Sequence, residues 1–418
     1  MARPETASAS PPPVRLVCLD AYRGFTMLAM ASGGLGLTAV ASRNSAWAGI
    51  AHQFEHVTWA GCVFWDLIQP SFMFIVGVAM VFSFAARQGK GQSLARQWLH
   101  AVKRAGLLCL VGMFLDWYGD GRLYPQFIRV LQQIAIGYVI CFAVLPLGPK
   151  VQIVSAIFLL IGHSAAFMIY GHLNGLEDPF NAVNNIGRRI DLFLHIQNSF
   201  DPNSPASMRN LNAYVTLNAI SSAATILFGI LAGNLLKQPS EPMRKLGQLV
   251  AWGGCFLILG WALSGGGGWI PWSFHPIIPL VKKLWTASFA IFAAGWTLWM
   301  LSAFYLLTDL AGWRKWPFPF IVVGMNSIAM YVLSSMFKSN AKTIANLIVP
   351  PVTTDKMILD KRRLCDIVPQ IDVSTWQLRW GVDISTWYLT PLLESVIILS
   401  IFWLVCYWLY RRQIFFKL

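Results

Sequence analysis

A histidine, a tryptophan and a carboxylate crowd the entrance to one apolar segment. His56 and Trp59 lie in Phe54-Glu55-His56-Val57-Thr58-Trp59-Ala60-Gly61, and Asp66 lies in Phe64-Trp65-Asp66-Leu67-Ile68-Gln69-Pro70. Imidazole changes charge near neutral pH, which suits proton transfer or carriage of an acyl group. A neighbouring carboxylate can orient the ring and support the imidazolium. The apolar run continues from Phe72 to Val81, long enough to cross a bilayer, and ionisable groups at that depth are functional suspects by default. If the helix begins early, Trp59 and Asp66 fall on nearly one face, with His56 close to it. A histidine at a membrane boundary is more often bland than catalytic; Asp66 shifts that balance. His52 is a rival with no matching motif around it.

Other polar groups interrupt apolar sequence. Asp20 and Arg23 lie three apart, a spacing that pairs them on one helix face. From spacing alone this is a neutralised interface anchor. The alternative is an arginine that meets an anionic ligand, with Gly24 giving close backbone access. Arg129, Gln132 and Gln133 form a stripe at i, i+3 and i+4 that points into a bundle, because buried amides need partners. Lys282-Lys283-Leu284-Trp285-Thr286-Ala287-Ser288 opens another apolar run, and Asn326 interrupts a further one in Gly324-Met325-Asn326-Ser327. No Walker motif, GxSxG elbow or HExxH is present.

The elements that must position these residues are membrane spans. Of 418 residues, 56% are hydrophobic and 12% charged, with mean hydropathy +0.55. A soluble domain carries about twice that charge. Repeated apolar runs of about 20 residues define an all-α polytopic membrane protein. Ten spans are expected, at about 16–40, 60–86, 100–117, 126–146, 151–172, 214–236, 247–264, 284–308, 317–338 and 387–410. Residues 1–14 read as a disordered cytoplasmic tail, 15–412 as one transmembrane domain and 413–418 as a second tail.

The net charge of +14 comes from basic loops between spans, with no basic run on a soluble domain, so nucleic acid is excluded as a partner. Sixteen lysines and arginines, from Arg3 and Arg15 to Arg412 and Lys417, fall on one set of loops. The short opposite loops hold Arg43, Arg122, Arg129, Lys282 and Lys283. That bias puts both termini in the cytoplasm and His56 outside, with two long outer loops at about 173–213 and 339–386. Seven cysteines show no CxxC or Cys/His spacing, so neither a metal nor a disulfide framework is expected.

Taken together, the same segments resemble the heparan-alpha-glucosaminide N-acetyltransferase family. The matching pieces run from Arg15 and Leu19-Asp20-Ala21-Tyr22-Arg23-Gly24 through His56-Val57-Thr58-Trp59-Ala60-Gly61 and Asp66-Leu67-Ile68-Gln69-Pro70. They continue with Arg129-Val130-Leu131-Gln132-Gln133, Asp201-Pro202, Phe228-Gly229-Ile230-Leu231-Ala232-Gly233, Lys283-Leu284-Trp285-Thr286-Ala287-Ser288 and Gly324-Met325-Asn326-Ser327. Their order is that of the family from residue 15 to about 340. One departure is that the family's glutamine-arginine pair reads Gln132-Gln133 here.

The resemblance implies a multi-span enzyme that takes acetyl-CoA from the cytoplasmic side. It delivers the acetyl group to a glucosamine amine on the far side, with His56 as acetyl carrier or general base and Asp66 supporting it. Contacts to acetyl-CoA are then expected from Asp20, Arg23, Arg129, Gln132, Lys283, Trp285, Ser288 and Asn326, and contact to the sugar from Trp59. Family members can be dimers, although no motif here marks an interface. The extra N-terminal luminal region of the lysosomal member is absent, which fits a bacterial plasma (inner) membrane. Rival readings are a transporter or flippase that uses Asp66 and Arg129 as a relay, and an acyltransferase that modifies a hydroxyl.

Overall fold

The computed structural model describes residues 16–120, 129–194, 214–266, 276–349 and 389–416. The N-terminal tail, the Asp201-Pro202 motif, Cys365 and most of the second long loop lie outside these residues. Every regular element described is helical. The principal helices are α1 Val17–Ser32, α2 Ile68–Gln88, α3 Leu94–Asp120, α4 Val130–Val144, α5 Pro149–Leu173, α6 Asn218–Lys237 and α7 Pro242–Leu263. They continue with α8 Ala287–Phe304, α9 Phe318–Met325, α10 Ser327–Met336 and α11 Thr390–Arg411. Nine described helical segments are long and apolar enough to cross a membrane. The expected span at 317–338 falls on the pair α9 and α10, which is bent by 82° at Asn326 and makes a tenth crossing only if the pair is taken as one span. The chain is therefore an all-α polytopic integral membrane protein.

Helix α6 is the hub, with 83% of its apolar window buried, whereas α7 has 17% and turns its remaining apolar surface outward. Close packing of α2 on α6 depends on two glycines. A Cβ on Gly77 would collide with the Ile226 carbonyl, and one on Gly229 with the Phe74 carbonyl. Small residues at such crossings let backbones approach where no hydrophobic drive exists between helices in lipid. Pro70 is tolerated in α2 because it falls in the first turn, where its missing N–H has no intrahelical partner.

Contacts between helix ends sort them onto two rims. On one rim, Asp309, which follows α8, caps α1 by accepting from the Val17 and Cys18 amides at 3.2 and 2.8 Å. Such caps contribute roughly 1 kcal/mol. On the opposite rim, the segment before α2 is held by residues before α8: the Gly61 amide donates to the Leu280 carbonyl at 2.8 Å.

The structure corrects one expected boundary. The second span begins not at residue 60 but with a 3₁₀ turn at Phe64–Leu67 that runs into α2. Residues 57–63 are irregular and Gly61 has φ +124°, a conformation closed to a helix. His56, Trp59 and Asp66 therefore share no helix face, and tertiary contacts bring them together instead.

Candidate active site

His56 follows the short helix Ala48–Gln53 and enters the irregular segment. Two further bonds fix that segment. Lys283 Nζ donates to the Thr58 carbonyl at 2.8 Å, and Trp59 Nε1 donates to the Phe180 carbonyl at 3.1 Å. Asp66 sits in the turn that starts the second span and is 1% exposed. One carboxylate oxygen, Oδ2, accepts from the Val63 amide at 3.3 Å. The other, Oδ1, lies 2.7 Å from His56 Nδ1 and 3.3 Å from Lys282 Nζ. Ten residues apart in sequence, His56 and Asp66 are in direct contact.

A 2.7 Å approach to a carboxylate assigns the imidazole proton to Nδ1, which leaves a lone pair on Nε2. The imidazole side chain is 52% exposed, so that lone pair is open to a reactant. A carboxylate that fixes the tautomer and a ring that presents its second nitrogen are the elements needed for general-base or nucleophilic catalysis. The Trp65 ring stands 6.4 Å from the imidazole and forms one wall. His52 is exposed and has no carboxylate partner among the described residues.

The sequence places Lys282 among the loop charges, at the opening of an apolar run, and assigns it no role in the site. In the structure its side chain is 6% exposed, bonded to Asp66 and to the Tyr214 hydroxyl. Burial pushes the Tyr214 phenol up, so it stays neutral. Lys283 lies 5.9 Å from the centre of the Trp59 ring. Burial lowers its pKa from the ordinary lysine value and Lys282 adds to this, while Asp66 opposes it.

Beneath the histidine runs a chain of buried amides. Gln69 Nε2 donates to Gln133 Oε1 at 2.5 Å, Gln133 Nε2 to Asn218 Oδ1 at 2.6 Å, and Asn218 Nδ2 to the Lys283 carbonyl at 3.1 Å. The chain ties α2, α4 and α6 to the turn before α8. Trp285, wholly buried, holds φ +53° in that turn, a strained value for a bulky residue. Its carbonyl accepts from Ser221 at 2.6 Å and its indole donates to Thr225 at 3.1 Å, which together fix the conformation. Ser288 donates to the Pro279 carbonyl at 2.8 Å.

The remaining expected residues fall elsewhere. Arg129 forms an ion pair with Asp116 of α3, and Gln132 Nε2 donates to the same carboxylate at 2.9 Å. Arg23 and Asp20 pair at 3.7 Å near the start of α1, on the rim away from His56. Asn326, wholly buried, donates to the Ile414 carbonyl and accepts from the Phe416 amide, both at 3.1 Å. Thus His56, Trp59, Asp66 and Lys283 meet at one centre, with Trp285 in its supporting turn and Ser288 in the first turn of α8. Asp20, Arg23 and Asn326 do not join it. Sequence reasoning missed Lys282, Tyr214, Gln69, Asn218 and Asp116. Of these, Asp116 carried a usable signal, a carboxylate inside an apolar run.

The chain is thus a polytopic membrane protein with a buried carboxylate paired to a half-exposed histidine at one rim. Residues 15–177, which hold His56, Trp59, Asp66, Arg129 and Gln132, match the family described as Heparan-alpha-glucosaminide N-acetyltransferase, catalytic. The mouse (Mus musculus) heparan-alpha-glucosaminide N-acetyltransferase is 24% identical over 379 residues, covering 79% of this chain and 54% of its own length. The human (Homo sapiens) protein of the same name is 22% identical over the whole of this chain and 62% of its own length. The family resemblance carried by the motifs is borne out. The chain spans between 54% and 62% of the length of these relatives.

Proposed function

We propose that this protein is a transmembrane acetyltransferase that moves acetyl from cytoplasmic acetyl-CoA to the amine of a glucosamine-type sugar on the outer side, which in a bacterial inner membrane is the periplasm. The observation that carries this reading is the 2.7 Å bond between His56 Nδ1 and buried Asp66, which leaves Nε2 exposed at the rim. The excess of basic loop residues on the other rim supports the sidedness.

Two routes use the same nitrogen. As base, Nε2 takes a proton from the amine as the N–C bond forms and the C–S bond breaks, then returns it to the departing thiolate. As nucleophile, Nε2 bonds to the acetyl carbon and the thiolate leaves; the amine then takes the acetyl group and gives up its proton. Asp66 stabilises the positive ring in either case. Arg23 and the basic loops of the opposite rim suit the CoA phosphates, which arginine grips in fork geometry.

The test is acetyl-CoA turnover by purified protein in detergent with glucosamine as acceptor, for wild type and His56→Ala. Release of CoA that requires the acceptor and vanishes in His56→Ala is the expected result. Labelled acetyl-enzyme formed without acceptor selects the nucleophilic route. Binding of CoA without reaction across an amino-sugar panel removes the acceptor assignment. Failure to bind or cleave CoA thioesters removes the enzyme.

A further inference from the structure

Two groups compete for one carboxylate oxygen. His56 Nδ1 and Lys282 Nζ both approach Asp66 Oδ1, at 2.7 and 3.3 Å, and stand 3.3 Å from each other. We propose that Lys282 is the positioning residue of this centre: its fixed charge cancels that of Asp66 and so holds His56 neutral, with the Nε2 lone pair available.

The argument is one of charge count. With Asp66 ionised and Lys282 protonated the pair sums to zero, and a neutral imidazole leaves the centre balanced. A proton or an acetyl group on Nε2 adds one positive charge against an ammonium 3.3 Å away. Like charges at this separation repel, and about half of the His56 side chain is shielded from solvent screening. The charged ring is therefore short-lived and passes its proton or acetyl onward. Asp66 alone would do the opposite and trap the imidazolium.

The surroundings leave Lys282 in control of this balance. Among the described residues, the ionisable groups facing the pair are Lys283 from the same turn, Tyr214 from the segment before α6, and Cys62. Burial pushes the Tyr214 phenol and the Cys62 thiol up, so neither supplies a compensating negative charge. Lys283 is spent on the Thr58 carbonyl. Lys282 cannot swing away either, since it is 6% exposed and bonded to Asp66 and Tyr214.

The inference builds on the acetyl-transfer reading for its purpose but not for its test. Diethyl pyrocarbonate acylates neutral imidazole, so its rate at His56, followed by peptide mass spectrometry on the full chain in detergent, reports protonation with neither acetyl-CoA nor acceptor present. In Lys282→Met the pH of half-maximal reactivity should rise by about one unit, a tenfold slower rate on the acid side. Lys282→Arg, which keeps the charge, should match wild type. Lys282→Gln replaces the methionine variant if that does not fold. Where acetyl transfer is measurable, the acid limb of kcat should move with it and KM for acetyl-CoA should not. Unchanged profiles in the neutral variants, or equal shifts in arginine and methionine variants, would overturn the proposal. Absence of acetyl transfer would leave the reactivity result standing and strike only the enzyme.

Discussion

Asp66 and Asp116 are both carboxylates buried inside apolar segments, and each holds a cation, yet only one also pairs with an imidazole. Asp116 accepts from Arg129 and Gln132, and neither partner changes charge at working pH. Asp66 shares one oxygen between Lys282 and an imidazole, a side-chain type able to take up or release a proton near neutral pH. The first pairing pins the ends of α3 and α4 together. The second holds a proton-transfer group at the surface while hiding the charges that tune it. An intramembrane carboxylate thus becomes a functional group when one of its partners titrates and half of that partner faces solvent.

The comparison breaks most easily at Asp66. Asp66→Asn should lower kcat for acetyl transfer about 10³-fold, because an amide no longer enforces the Nδ1–H tautomer. The rate per folded molecule is the quantity to measure, since the same change leaves Lys282 buried beside a neutral group. Activity kept within tenfold would show that Asp66 is a structural carboxylate like Asp116. The mirror experiment is Asp116→Asn. It should cost about 1–2 kcal/mol of stability, a modest figure because Arg129 reaches solvent, and leave kcat within about twofold. A lower melting temperature in detergent with unchanged turnover is the expected pattern. Lost turnover at unchanged melting temperature would place Asp116 and Arg129 in the reaction.

Lys283→Met sharpens the picture at smaller scale. It removes the bond to the Thr58 carbonyl and the cation beside the Trp59 ring, so the segment carrying His56 loosens. A loss of about tenfold in kcat/KM is expected, in proportion to mispositioning rather than to lost chemistry. A drop in kcat as deep as that of Asp66→Asn would move Lys283 from support to catalysis.

Legibility in the sequence followed the range of each signal. Nine of the ten expected spans are helices long enough to cross, because hydrophobic length is a local property; the other falls on the pair bent at Asn326. The His56–Asp66 pair was visible as a motif, but its contact was not. Helical phase was the wrong guide there, since α2 starts only after Phe64 and the loop before it bends through Gly61. Lys282 was hidden for a different reason. It lies 226 residues from His56, adjacent lysines look like ordinary loop charge, and only the fold shows that one is buried and the other partly exposed. Gln133 was legible in kind: the sequence reads it as an amide that points into the bundle and needs partners, and the structure supplies them as Gln69 and Asn218, which the sequence could not name.

The smallest effect is expected at the far rim, where Arg23 pairs with Asp20 at 3.7 Å and both side chains are partly exposed. Pairs of that kind contribute at most about 1 kcal/mol, so Arg23→Ala should barely move the melting temperature. If the arginine meets CoA phosphate, KM for acetyl-CoA should rise about fivefold with kcat unchanged, since the contact serves ground and transition states equally. Acetyl-pantetheine, which lacks the nucleotide phosphates, separates the explanations. With that donor, wild type and Arg23→Ala should be indistinguishable. If the variant is impaired with acetyl-pantetheine as well, Arg23 acts through the packing of α1 on α9 and not through the phosphates.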